Sequence, residues 1–112
     1  KERVQGGKPI NQHQSVKLRL FDMFRKVETA STFARKATVV NSVTEGQLHL
    51  AIAAKTYATR VSFDVASEAL QIFGGNGLSK EYPIEKIMRD ARASMIEDGC
   101  NEVLSIVGAS HL

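Results

Sequence analysis

The sequence predicts an all-α fold, an up-and-down helical bundle of the four-helix type. Apolar residues recur at three- and four-residue steps through two long stretches, the second is rich in alanine, and no segment sustains the period-two alternation of a half-buried strand. Residues 1–10, "KERVQGGKPI", hold a Gly-Gly pair and a proline and read as an irregular lead-in. From Asn11 to Ser42, Val16, Leu20, Met23 or Phe24, Val27, Ala30, Ala34 and Ala37 mark one stripe, and Lys17, Arg19, Asp22, Arg25, Lys26, Arg35 and Lys36 fill much of the rest. That pattern is a long amphipathic helix with one buried face, and Asn11 is a candidate N-cap because its side chain can accept a free first-turn N–H. After the link "NSVTEGQ", a second long helix runs from His49 to Phe73 through Leu50, Ala53, Ala54, Tyr57, Val61, Val65, Ala69 and Leu70. Its alanines favour helix and let a neighbouring helix approach closely. The run "GGNG" ends it, since Gly74 and Gly75 can take the left-handed conformation that closes a helix. Pro83 then suits the first turn of a shorter helix, "PIEKIMRDARAS", with Ile84, Ile87 and Met88 on one side. A last helix follows the acidic turn "MIEDG", with Val103, Leu104, Ile106 and Val107 as its apolar set.

Composition narrows the function classes. The chain has 112 residues, enough for one domain. At 43% hydrophobic and 24% charged it is an ordinary folded sequence. No apolar run approaches the ~20 residues of a membrane span. The net charge of +3 suits phosphate-bearing ligands, but its charges are interspersed and make a poor case for nucleic acid. One cysteine, Cys100, excludes an intrachain disulfide framework and suits a reducing compartment. The opening on "KER", with no initiator Met, reads as the interior of a longer protein.

Several stretches carry both a plain and a chemical reading. "QIFGGNG", Gln71 to Gly77, is a helix end with spare glycines, or a bare backbone surface open to a flat or phosphorylated ligand, with the Gln71 amide one turn back. "KERVQGGKP" is a solvated basic tail or a phosphate clamp through Arg3, whose guanidinium matches phosphate in a planar two-point geometry. Arg89, Asp90 and Arg92 read as local charge pairing on a helix surface. His13, His49 and His111 show no metal-ligand spacing. Cys100 has no evident catalytic partner. Glu97 and Asp98 suit the N-terminus of the last helix through its dipole, and either is also a candidate base.

The order of these pieces is more specific than any one of them. An Arg and "GKPI…HQ" lead-in, a long helix, an Ala-rich helix, "QIFGGNG", "EYPIEKIMRDAR", an acidic-Gly turn and a final helix together resemble the C-terminal helical domain of the acyl-CoA dehydrogenase family. The resemblance covers essentially the whole chain and is strongest from Gln71 to Gly99. It implies a flavoenzyme with two further domains, N-terminal helical and central β, that introduces an α,β double bond into an acyl-CoA. It also implies FAD held across subunit interfaces of a homo-oligomer, dimer or tetramer, and an electron-transfer flavoprotein as electron acceptor. The compartment it implies is a bacterial cytoplasm or a mitochondrial matrix. By position, Arg3 matches a residue on the FAD diphosphate and Gln14 one near the adenosine end. Gln71, Ile72, Phe73, Gly74 and Gly75 match the segment beside the adenine of a neighbouring subunit's FAD. Cys100, Asn101 and Glu102 match a stretch along the flavin. Cys100 and Glu102 stand where members often carry Thr or Ser and then Gln, and Gly6 where an aromatic is usual.

The catalytic glutamate of many members immediately precedes the glycine of this turn, so Asp98 takes the position of the base, and Glu97 the place of a common Tyr. The chemistry needs a carboxylate whose proton affinity is raised by desolvation to take a weakly acidic α-proton. Asp reaches roughly 1 Å less far than Glu, and a misplacement of that size can cost ~100-fold in rate. Three readings follow: a working base on a repositioned substrate, an inactive position with the base supplied elsewhere, or a different substrate, as in nitroalkane oxidases with an Asp base. A non-catalytic subunit that lends FAD contacts to an active neighbour is the rival to the enzyme, and a DNA-associated helical protein is a third class.

Overall fold

The computed structural model describes residues 4–5, 7–9, 12–74, 83–97 and 99–112. Four helices dominate it: α1 Gln14–Val43, α2 Leu48–Phe73, α3 Ile84–Ser94 and α4 Asn101–Ala109. The lead-in is more ordered than the sequence suggests. Two short antiparallel strands, β1 Val4–Gln5 and β2 Lys8–Pro9, pair Val4 with Pro9 and Gln5 with Lys8. Gly7, at φ +78, lies in the turn between them. Strands of two residues leave no alternation to read.

α1 begins behind His13, which is extended and makes no side-chain cap bond. The expected cap, Asn11, lies outside the described residues. The far end of α1 closes by side-chain chemistry. Asn41 Nδ2 donates to the Ala37 carbonyl, and its Oδ1 accepts the Gln47 N–H at 2.7 Å, joining the two helices across residues 44–47. Those helices run antiparallel, as Arg19–Glu68 at 3.3 Å near one end and the Phe33–Tyr57 ring contact nearer the other require.

α2 is the hub against which α1, α3 and α4 all pack. Its buried Ile52, Ala54, Val61 and Ala66, with Ala30 and Ala37 of α1, are mostly small, which lets the helices approach closely. The two short helices share one position in the bundle. Arg92 of α3 lies over Phe63, Asn101 bonds Thr59, and Gly108 of α4 meets Ile52, so α3 and then α4 run end to end down α2 and antiparallel to it. The result is elongated, 57 × 24 × 20 Å.

A bundle this open leaves apolar faces uncovered, and some residues expected inside are outside. On α1, Leu20, Phe24 and Val27 are exposed, as are Leu18 and Phe21 at the same end. Ile87 is 51% exposed although Ile84 of the same helix is buried, because α3 packs chiefly on α2 and Ile87 only borders the groove toward α1. On α4, Val103, Ile106 (70%) and Val107 are exposed for the same reason, with only one face of the helix covered. Contiguous apolar surface of this kind is more than a typical soluble monomer exposes.

Candidate functional site

The residues singled out in the sequence fall into two groups on the structure. The first lies at the C-terminal end of α2. Gln71 and Phe73 are exposed there and Ile72 is half-buried. Gly74 ends the helix, its N–H donating to the Leu70 and Gln71 carbonyls. Its φ of 66 with ψ of −141 is not the left-handed helical cap expected, but it lies near a region that essentially only glycine occupies. Gln14, exposed in the first turn of α1, is at this same end because the two long helices are antiparallel. Arg3 and Gly75 lie outside the described residues.

The second group is the corner between α3 and α4. α3 stops at Ser94, and its last turn is tied off by Ile96 N–H and Glu97 N–H to the Ala93 carbonyl. Met95 is buried beneath the turn, and its carbonyl accepts the Asn101 N–H at 3.0 Å. Gly99, at φ +101, redirects the chain, a conformation that side-chain-bearing residues rarely adopt. Cys100 is then the N-cap of α4, half-buried, with no side-chain cap bond, and Glu102 is exposed in the first turn. Glu97 is exposed, and Asp98 lies outside the described residues.

Asn101 faces inward. Its Nδ2 donates to Thr59 Oγ1 at 2.9 Å and to the Thr56 carbonyl at 3.3 Å, and its Oδ1 accepts from Lys55 Nζ at 2.7 Å. The amide is thus committed to α2, and the side chains this stretch turns elsewhere are those of Cys100 and Glu102. Lys55 Nζ also donates to the Gly99 carbonyl at 3.1 Å. Lys55 drew no notice in the sequence, where it is one more charge on an amphipathic helix. Its setting, a single cation in "AIAAKTYAT", is the only local signal, and its partners lie far along the chain.

Beside the corner is an open cleft of ≈ 520 Å³, lined by Phe63, Arg92, Met95, Ile96, Cys100 and Glu102 among others. Asn101 sits level with Thr59, so Gln71, twelve residues further along α2, is about 18 Å away at 1.5 Å per residue. The two groups are therefore separate patches of one chain.

Elsewhere several charged residues pair locally, in contrast to the Arg19–Glu68 bridge between α1 and α2. Arg89 meets Glu85 and Lys86 meets Asp90, each at 2.7 Å, as read from the sequence, whereas Arg92 lies over the Phe63 ring at 6.0 Å. Hydrogen bonds from Lys86 hold the Asp90 carboxyl below its ordinary pKa. Hydrogen bonds from Arg25 and Lys26 do the same for Asp22, and Lys26 is raised in return. Among the described residues no three His, Cys, Asp or Glu side chains gather as a metal site, and no helix is long and apolar enough to cross a membrane.

Comparison with known proteins places this geometry. The family model for the acyl-CoA dehydrogenase C-terminal domain matches residues 1–112. The short-chain-specific acyl-CoA dehydrogenase of Megasphaera elsdenii is 41% identical over 113 aligned residues, covering 100% of this chain and 30% of that protein. The solved butyryl-CoA dehydrogenase of the same organism superposes with a TM-score of 0.93 at 40% identity, over 98% of this chain and 29% of that one. A structure of the electron transferring flavoprotein of Acidaminococcus fermentans contains a chain with TM-score 0.91 and 34% identity, over 96% of this chain and 28% of that one. The chain thus spans less than a third of the length of these relatives.

Proposed function

Because the chain belongs to the acyl-CoA dehydrogenase family, we propose that it is the C-terminal helical wall of an FAD-dependent enzyme that dehydrogenates an acyl-CoA at its α and β carbons, with Asp98 as the base. The observation that carries this reading is the corner itself. The residues immediately after Asp98 are held against α2 by Lys55 and Asn101, beside an open cleft with an apolar and aromatic wall.

The residues present fit one wall of a flavin site. α4 begins without a side-chain cap, and a helix N-terminus offers N–H donors and partial positive charge to an electron-rich group. Phe63, Met95 and Ile96 beside it offer apolar surface to a flat ring. Bound FAD would supply the hydride acceptor for the β-carbon. Cys100, Asn101 and Glu102 would lie along the flavin. Gln71, Ile72, Phe73, Gly74 and Gly75, with Gln14 at the same end and Arg3 at the diphosphate, would serve a dinucleotide shared with a neighbouring subunit.

In the reaction Asp98 takes the α-proton of the thioester while the β-carbon loses a hydride, leaving the enoyl thioester and a protonated carboxyl. Water must be kept from that carboxylate, since desolvation raises its proton affinity toward the task. The exposed apolar faces of α1 and α4 are surfaces that the remaining domains and further subunits of a homo-oligomer would cover. An electron-transfer flavoprotein is the proposed acceptor of the electrons. The test is anaerobic addition of a panel of acyl-CoAs to the full-length flavoprotein. Bleaching of the oxidised flavin by one or more supports the reading. A flavoprotein that binds FAD and is bleached by none would instead be the non-catalytic subunit.

A further inference from the structure

We propose that Lys55 and Asn101 are positioning residues, a polar clasp that sets the height of the α3–α4 corner along α2 and so aims the carboxylate preceding Gly99. The inference rests on the reading of Asp98 as the base.

Met95, buried beneath the turn, packs the corner onto α2, but apolar packing is non-directional and does not by itself fix the register. Its own backbone closes α3 and opens α4, but those bonds fix its internal shape, not its place against α2. Side-chain hydrogen bonds from α2 to this corner, among the described residues, run through Lys55, Thr56, Thr59 and Asn101. Lys55 spans two successive points of the turn, the Gly99 carbonyl at 3.1 Å and the Asn101 side chain at 2.7 Å. Asn101 passes the link back to α2 one turn away, at Thr59 Oγ1, and that hydroxyl in turn donates to the Lys55 carbonyl at 2.8 Å. The network is closed: ammonium, amide and hydroxyl each have a partner. Such a closed network specifies one register, because a slide of α4 by any fraction of a turn breaks several bonds together.

A charged donor suits this place. A hydrogen bond from an ammonium is stronger than one between neutral groups. Lys55 directs it to the carbonyl of Gly99, the residue that follows the candidate base in sequence. Gly108 meeting Ile52 holds the far end of α4, so loss of the clasp leaves the helix pinned there and free to swing at the corner.

The experiment uses the full-length flavoprotein with Lys55→Met, which keeps the length and apolar stem and removes the donor. Three quantities are read: the rate of flavin bleaching at saturating acyl-CoA, the acyl-CoA concentration for half-maximal rate, and deuterium uptake in the peptide covering residues 95–104. The expected result is a fall in bleaching rate of about 100-fold, the cost of ~1 Å of misplacement. Half-saturation should change less than about threefold, and exchange should quicken in that peptide alone. If Lys55→Met fails to yield holoprotein, Asn101→Ala tests the same clasp from the other side. Unchanged bleaching per holoenzyme, with or without a lower melting temperature, overturns the proposal, as does failure of both variants to fold. Absence of bleaching in the unaltered protein would overturn the reading of Asp98 itself and is seen before either variant is made.

Discussion

Replacing Gly99 with Ala probes the corner most simply. The residue sits at φ +101, and a Cβ there would lie 3.2 Å from both Cγ and Cδ2 of Leu104. Forcing an L-residue into positive φ costs about 1–2 kcal/mol. Carbon atoms prefer to be about 3.5–4.0 Å apart, so Leu104 must also give way, adding about 1 kcal/mol at the low end of overpacking costs. The expected loss is about 2–3 kcal/mol, read from urea unfolding of this chain followed by circular dichroism, with the slope unchanged. At roughly 4 °C per kcal/mol for a domain of this size, the melting point should fall by about 8–12 °C. Gly108→Ala is the internal control. Its added Cβ would meet Ile52 Cγ2 at the same 3.2 Å, but the residue is helical. Alanine regains up to about 1 kcal/mol of helix propensity there, so the net change should be near zero. Measured against Leu104→Ala alone, Gly99→Ala should cost only the backbone part, since the crowding is a coupling between residues in contact. Equal stability of the Gly99→Ala and Gly108→Ala chains would refute the reasoning, because the two sites differ chiefly in backbone conformation.

Other consequences follow from the packing and the charges. Ala66 is 4% exposed on the face α2 turns to its neighbours, so Ala66→Leu should destabilise by about 1–3 kcal/mol, measured by thermal melting. The Asp22 carboxyl is held below its ordinary value of 3.8 by Arg25 and Lys26, so its contribution is present above that pH and lost as pH falls through the lower folded value. Lys26 is raised above 10.5, so its share is present below that pH and lost as pH climbs through the folded value. Asp22→Asn should therefore be less stable than the unaltered chain between those limits and converge with it in acid, and added salt should shrink the difference because the groups are exposed. Phe21, 60% exposed on α1, is predicted to drive association of the isolated chain. Phe21→Ser should reduce concentration-dependent sedimentation while changing stability by less than about 0.5 kcal/mol.

Helix positions were legible because period, proline and glycine are local signals. Pro83 stands at the start of α3 and Gly74 at the end of α2, where the sequence put them. Burial was less legible. Leu20, Phe24, Ile106 and Ile87 belong to correct apolar faces, yet periodicity does not say which faces this chain covers itself. The end-to-end stacking of α3 and α4 on α2 was equally hidden, since a count of four helices suggests four antiparallel rods side by side. At the site, residue types and spacing pointed to Cys100, Asn101 and Glu102, but not to the inward turn of Asn101 or to Lys55 as its partner. That contact joins residues 46 apart in sequence, and no local pattern encodes it.

The acidic residue before Gly99 is proposed to do chemistry on an acyl thioester. Anaerobic stopped-flow mixing of the full-length Asp98→Asn flavoprotein with the acyl-CoA that best bleaches the unaltered enzyme tests it directly. Asparagine keeps the shape and cannot accept the proton, so bleaching should slow by about 10²–10⁴-fold while the oxidised flavin spectrum and acyl-CoA binding persist. Bleaching at the unaltered rate would contradict the account and place the base outside this chain.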